Sequence, residues 1–198
     1  MTTRTTPFNP QTTSQHSRWE RVAEATIELG NTGGYDAVQM REVSLQSKVA
    51  MGTVYRYFLS KDHLLAAVLV YWMQGAANKI DVLQLSGNDA ATKVSNMLIE
   101  LSAALEEKPL FCAAVMTALA SSETQVVDCR KTINALLKDM MLQAVGEPTP
   151  SGLEEKLRIM SYIWFAVMQN WSSFQVNGIT KVPTPENEFS LVARLLFS

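Results

Sequence analysis

No stretch of this chain alternates apolar and polar residues with period two; its apolar residues recur at spacings of three and four. A half-buried strand needs the first pattern and a helical face the second, so the chain is constrained to helices. The expected architecture is all-α, with about nine helices whose ends are marked by caps and breakers.

The punctuation can be followed in order. Ser17-x-x-Glu20 forms a capping box that opens a first helix, with Trp19, Val22, Ala23, Thr26 and Ile27 on one face. Gly33-Gly34 closes it, because glycine takes left-handed conformations cheaply. After the link 35–38, a second helix is predicted from Gln39 to Ser47, burying Met40, Val43 and Ser44. A turn at Lys48-Val49 leads to a third, from Ala50 to Tyr57. Ser60 caps a fourth that runs to Asn78. Asn88 or Asp89 opens the fifth, Pro109 fits the first turn of the sixth, and Ser122 starts the seventh. The Gly-Glu-Pro-Thr-Pro run at 146–150 is a break. Ser151-x-x-Glu154 is a second capping box, opening an eighth helix that Asn177-Gly178 stops. Thr184-Pro185-Glu186 starts the last, which is expected to bury Phe189, Val192, Leu195 and Leu196. Residues 1–15, rich in Thr and Pro and without periodicity, read as a disordered arm. The arm is followed by a small helical head over 16–65 and a larger body over 66–198.

Composition narrows the function. Hydrophobic residues make up 47% and charged residues 18% of the chain. A chain so thinly charged often hides apolar area in a subunit interface or a ligand cavity, and its 10 Met and 4 Trp read equally as pocket lining or as a Met-rich core. The net charge is −2, and residues 1–65 carry seven Lys or Arg against six Asp or Glu. Any nucleic-acid contact must then come from placed side chains and not from a bulk positive field. Cys112 and Cys129 are too few for a disulfide framework and read as reduced thiols of a cytoplasmic protein. Residues 1–18 are polar, so no secretory leader is expected. The longest apolar run, Ile159 to Met168, is shorter than the roughly 20 residues of a membrane span. His16 and His63 are the only histidines. No metal cluster, nucleophile elbow or phosphate-cradling glycine loop is visible, so neither an enzyme nor a cofactor is expected.

Residues 39–65 carry the most information. A helix-turn-helix lays its second helix in the major groove and braces it with the first. Met40, Val43, Val49, Val54 and Phe58 supply its inner face. Met51, Thr53 and Tyr55 can face base edges, with Met51 suited to a thymine methyl. Arg56, Tyr57 and Lys61 are placed for phosphates, and Arg41 for a phosphate or a guanine. Arg18 and Gln39 complete the set of candidate DNA contacts.

The run Gly52-Thr53-Val54-Tyr55-Arg56-Tyr57-Phe58-Leu59-Ser60-Lys61-Asp62-His63-Leu64 resembles the signature that ends the DNA-binding head of TetR-family regulators. Gly34-Tyr35-Asp36-Ala37 and Met40-Arg41-Glu42-Val43 fit the same family. The resemblance implies an all-α homodimer that represses transcription from a palindromic operator. It also implies that a small molecule in the body releases the operator by moving the fourth helix. By position, Thr53, Tyr55, Tyr57, Lys61 and Arg41 would contact DNA. Two positions depart from the pattern. Lys48 stands where the turn usually has Gly, and Ala50 where the third helix usually has a Ser or Thr cap. The stretches GGYDAVQMREV and VAMGTVYRYF are also similar to the actinobacterial repressors of cholesterol and steroid breakdown. That similarity implies a large apolar effector such as a steroid or an acyl-CoA thioester.

In the body, Met97, Leu101, Phe111, Met116, Trp164, Phe165, Met168 and Trp171 are large apolar residues on helices that can surround such an effector. Each of them, taken singly, reads more readily as plain core than as lining; it is the set, rich in Met and Trp, that points to a cavity. Between Ile159 and Phe174 apolar residues wrap most of the eighth helix, which with the last helix forms the expected dimer surface. The competing reading is a helical dimerisation or architectural DNA-binding protein without a ligand.

Overall fold

The computed structural model describes residues 12–80, 87–146 and 152–197, which form nine helices and no strand. Helix α1 spans Thr13–Ala37, α2 Met40–Ser47, α3 Met51–Tyr57, α4 Lys61–Ala77 and α5 Ala90–Glu106. Then follow α6 Pro109–Leu119, α7 Thr124–Val145, α8 Leu153–Val176 and α9 Pro185–Phe197.

Most predicted ends are found, and the exceptions have local causes. Helix α1 begins at Thr13, before the expected Ser17, because Thr12 caps it by accepting the Gln15 N–H at 3.2 Å. Residues 13–15 of the expected arm therefore belong to a helix, and residues 1–11 lie outside the described residues. Gly34 takes φ 65°, and with Gly33 it breaks the helical path at the predicted place. One further turn follows before α2. Helix α7 starts at Thr124 with Glu123 at its N-cap, not Ser122, and the Glu123 side chain does not cap it. Ser151 lies outside the described residues, and the N-cap of α8 is Gly152, in a left-handed conformation with no side-chain cap. Asp89 caps α5 and Thr184 accepts the Asn187 N–H at the start of α9, as expected.

Helix α4 is enclosed through its middle, and its last turn is half-buried or exposed. Leu64 to Val70 are all fully buried, between α6 and α7 on one side and the head on the other. Fully burying each of its leucines contributes about 1.5–3 kcal/mol. Helix α1 lies along α6, and Gly30 permits the approach: a Cβ there would sit 2.8 Å from Phe111 Cδ2. The body is closed by α5 on α7 and α9, and by α8 on α6, α7 and α9. In contrast to α4, α8 keeps one apolar side open in the single chain, where Tyr162 is 57% exposed and Ile159 40%. On α9, Phe189 is buried but Leu195 is 69% exposed, against the expectation that it packs inward. The apolar face of α9 is wider than the surface that α5 and α8 offer it.

Among the described residues, no single helix is long and apolar enough to cross a membrane.

Candidate nucleic-acid interface

Helices α2 and α3 are held as a unit by apolar residues beneath them and by the turn between them. Val43, Val54 and Phe58 are fully buried, Val49 and Met40 nearly so. Phe58 stacks edge-on to Trp19 of α1 at 6.1 Å, and Trp19 lies 4.2 Å from the Tyr71 ring of α4. Lys48 adopts the left-handed conformation that its place in the turn demands, φ 55° and ψ 35°. That conformation costs a non-glycine residue about 1–2 kcal/mol. Several bonds hold it. The Lys48 N–H reaches the Leu45 and Ser44 carbonyls, and Ser44 Oγ donates to the Val49 carbonyl at 2.7 Å. Arg21 of α1 donates to the Ser47 carbonyl at 3.1 Å.

Helix α3 follows with Ala50 at its N-cap and no side chain capping it, as the departure from the family pattern implies. Its outward side carries Met51 at 41% exposure and Tyr55 at 44%, with Gly52 and Arg56 also exposed and Thr53 half-buried. A Cβ added to Gly52 meets nothing within 4 Å, so no packing inside this chain requires the glycine. Gln39 and Arg41 are exposed at the start of α2, and the Gln39 side-chain amide donates to the Asp36 carbonyl at 2.8 Å. Together these groups make one polar-aromatic surface with a flush centre. A major groove admits a helix that presents such an outward side.

The remaining candidates are less open. Arg18 donates to Ser14 Oγ at 2.7 Å on α1. Tyr57 is half-buried, its hydroxyl is buried without a hydrogen-bond partner, and the Arg56 guanidinium lies 5.3 Å from its ring centre. Lys61 donates to the Tyr35 carbonyl at 3.2 Å, with its ammonium 3.5 Å from the Tyr35 ring centre. Leu45, 63% exposed on α2, and Leu59, 46% exposed after α3, flank the surface and are not singled out by sequence reasoning. Their exposure follows from the helix phase of α2 and the end of α3, a difference too fine for periodicity to resolve over such short elements.

In the body, Met97 and Leu101 on α5, Phe111 and Met116 on α6, and Trp164, Met168 and Trp171 on α8 are all buried; Phe165 is half-buried. The Trp164 indole N–H donates to Ser102 Oγ at 3.0 Å, and Phe165 meets its ring edge-on at 5.2 Å. Phe111 faces α1 at Gly30. These residues are packed against one another and their neighbours as core. Trp171 also lines a groove of about 280 Å³ between α8 and α9, with Val167, Asn170 and Val192. A second groove, of about 250 Å³, lies between α7 and α8 beside Lys138, Glu154, Arg158 and Tyr162. Cys112 and Cys129 are free and buried, and burial pushes both thiols up to about 12.

A head of this geometry on a larger helical body defines a DNA-binding transcriptional regulator. Residues 22–68 match the profile described as bacterial regulatory proteins, tetR family, and residues 87–188 match the tetracyclin repressor-like C-terminal domain. The chain belongs to the TetR family of transcriptional regulators. Within it, the chain is similar to the HTH-type transcriptional repressor KstR of Mycobacterium tuberculosis, at 33% identity over 162 residues, covering 80% of this chain and 72% of that one. A TetR transcriptional regulator from Rhodococcus sp. RHA1 superposes with a TM-score of 0.78 at 29% identity, covering 92% of this chain and 97% of that one. The fold is also that of FadR from Bacillus subtilis, solved with stearoyl-CoA, at a TM-score of 0.59 and 17% identity, covering 91% and 98% of the two chains.

Proposed function

We propose that this protein is a cytoplasmic, homodimeric repressor that binds a palindromic operator and leaves it when a large apolar effector enters the body. The observation that carries the reading is the outer side of α3. Thr53, Tyr55 and Arg56 stand around an unoccluded Gly52, on a helix fixed from below by Phe58 and Trp19. Arg41 and Gln39 extend the surface from α2, Arg18 flanks it from α1, and Met51 offers an apolar contact. Tyr57 and Lys61 take phosphate contacts in this reading, with Lys61 exchanging its hold on Tyr35 for one.

Dimerisation is supported by the exposed apolar side of α8 and α9, where Ile159, Tyr162, Leu191 and Leu195 would otherwise face water. Two copies related by a two-fold axis place two heads on two half-sites. The effector class is supported by the Met- and Trp-rich character of the core built from α5, α6 and α8. The stearoyl-CoA held by the Bacillus subtilis protein of the same fold makes an acyl thioester a chemically sensible first probe, with a steroid-derived thioester as the second.

The test begins with duplexes selected in vitro from a random library by the wild-type protein. Tyr55→Ala should weaken binding to the selected duplex by about 1–3 kcal/mol, the usual worth of one base-reading side chain, while melting and dimer mass stay unchanged. Unchanged affinity would remove α3 from the interface. The packed state of the body favours one competing reading, in which the body only dimerises. A ligand that binds only the folded protein raises the melting midpoint with concentration. No shift with stearoyl-CoA or a steroid thioester would favour that competitor.

A further inference from the structure

The first turn of α4 is where separate parts of the chain meet. Ser60, its N-cap, accepts the His63 N–H at 3.0 Å and donates its own proton to Glu123 Oε2 at 2.6 Å. Lys61 donates to the Tyr35 carbonyl, and Asp62 Oδ1 accepts the Tyr35 hydroxyl at 2.5 Å. His63 Nδ1 accepts the Leu59 N–H, at the end of α3, at 3.2 Å. Consecutive side chains thus bind the last turn of α1, the exit of α3 and the turn between α6 and α7.

Glu123 is the body's side of this junction. It occupies the N-cap of α7 but does not cap that helix; its carboxylate reaches instead to Ser60, across 63 residues of sequence. The turn that carries it is itself fixed. Arg130 Nη1 donates to the carbonyl of Leu119, the last residue of α6, and to that of Ser121 at 2.9 Å. A displacement of α6 therefore carries Glu123 with it. A hydroxyl has one proton to donate, and Ser60 gives it to the carboxylate. Such charge-assisted bonds are short and about twice as strong as neutral ones.

We propose that Glu123 is a positioning residue for DNA reading: its bond to Ser60 sets the orientation of the head on the body, although Glu123 touches no DNA. The proposal rests on the DNA-binding reading above. The loss of one such bond should let the head sample orientations that do not fit the half-site.

Three variants test it against the duplex selected by the wild-type protein. Glu123→Ala removes the acceptor and should weaken binding about tenfold, equal to about 1.4 kcal/mol. Glu123→Asp keeps the charge but is one methylene too short, and should weaken it similarly. Glu123→Gln keeps a carbonyl acceptor at the same reach and should stay within about threefold of wild type. Dimer mass and melting midpoint are recorded for each. Wild-type affinity in Glu123→Ala or Glu123→Asp would overturn the proposal, and so would a Gln variant as weak as Ala. A wild-type protein that selects no duplex refutes the DNA-binding reading instead, so the two failures are distinct.

Discussion

Gly52→Ala separates a structural glycine from a binding one. The glycine sits in the first turn of α3, and it is not among the glycines with positive φ. A Cβ there meets nothing within 4 Å. The substitution therefore creates no clash inside the chain, and in a helix alanine is better than glycine by up to about 1 kcal/mol. Near the helix end the gain is smaller, so stability should hold or rise slightly. In the complex proposed above, the new methyl would stand on the surface that meets the groove. Overpacking a close contact costs about 1–3 kcal/mol, which is roughly 5- to 150-fold in affinity. The assay is a thermal melt beside a titration of the selected duplex. Weakened binding with an unchanged or raised midpoint is the expected pair. A lowered midpoint would mean that the glycine is needed for the fold; unchanged affinity would mean that DNA does not approach α3 here.

Other perturbations act elsewhere. Ser102→Ala leaves the Trp164 indole N–H buried without its acceptor, which costs about 1–3 kcal/mol, and the melting midpoint should fall by about 2–4 °C per kcal/mol. Burial holds His63 below its ordinary value of 6.5, with the charge of Glu123 opposing the shift, and its Nδ1 must stay unprotonated to accept the Leu59 N–H. The unfolded chain binds that proton first, so this contribution to stability is full above pH 6.5 and is lost as pH falls below it. The midpoint of His63→Gln should vary less with pH between 7.5 and 5.5 than that of wild type, where buffers at roughly those values straddle the transition. Val192→Glu places a carboxylate in the α8–α9 groove, and Leu195→Glu one on the exposed edge of α9. Both should give monomers in ultracentrifugation, and a surviving dimer would move the interface to another face.

The fold was largely legible because helix ends carry local chemistry. Ser60, Asp89, Pro109 and Gly34 each act within one turn of their own position, so a single sequence shows them. Lys48 was legible for a different reason: its left-handed conformation is forced by the turn, whichever residue stands there. The failures are contests between adjacent caps. Thr12 competes with Ser17 and Glu123 with Ser122, and the winner depends on packing that periodicity does not contain. At the interface, periodicity indicated which side of α3 faces outward, yet Lys61 turned to Tyr35 and Glu123 to Ser60. Both contacts join residues far apart in sequence, and no spacing rule links them. In the body the large apolar residues were recognisable, but sequence does not distinguish a lining from a core. Trp164 looks the same in either role until Ser102 is seen to hold it.

Charge bears on how many heads must engage. In the head, Arg21 is bonded to the Ser47 carbonyl and Lys61 to the Tyr35 carbonyl, so both hold the fold before they meet any phosphate. Arg18 is partly occupied by Ser14. The exposed cations around the surface that need give up no such carbonyl bond are Arg41, Lys48 and Arg56, which sets a lower count of contacts. With about three phosphate contacts, one head would lose roughly 40-fold in affinity between 50 and 200 mM salt; two heads with about six contacts would lose roughly 10³-fold. The slope of log affinity against log salt, about −3 in the first case and about −5 in the second, therefore counts heads. A slope near −5 on the full selected site and near −3 on an isolated half-site is the result expected of a two-fold dimer. Equal slopes on the two duplexes would mean that one head does all the binding, and the exposed faces of α8 and α9 would then need another occupant.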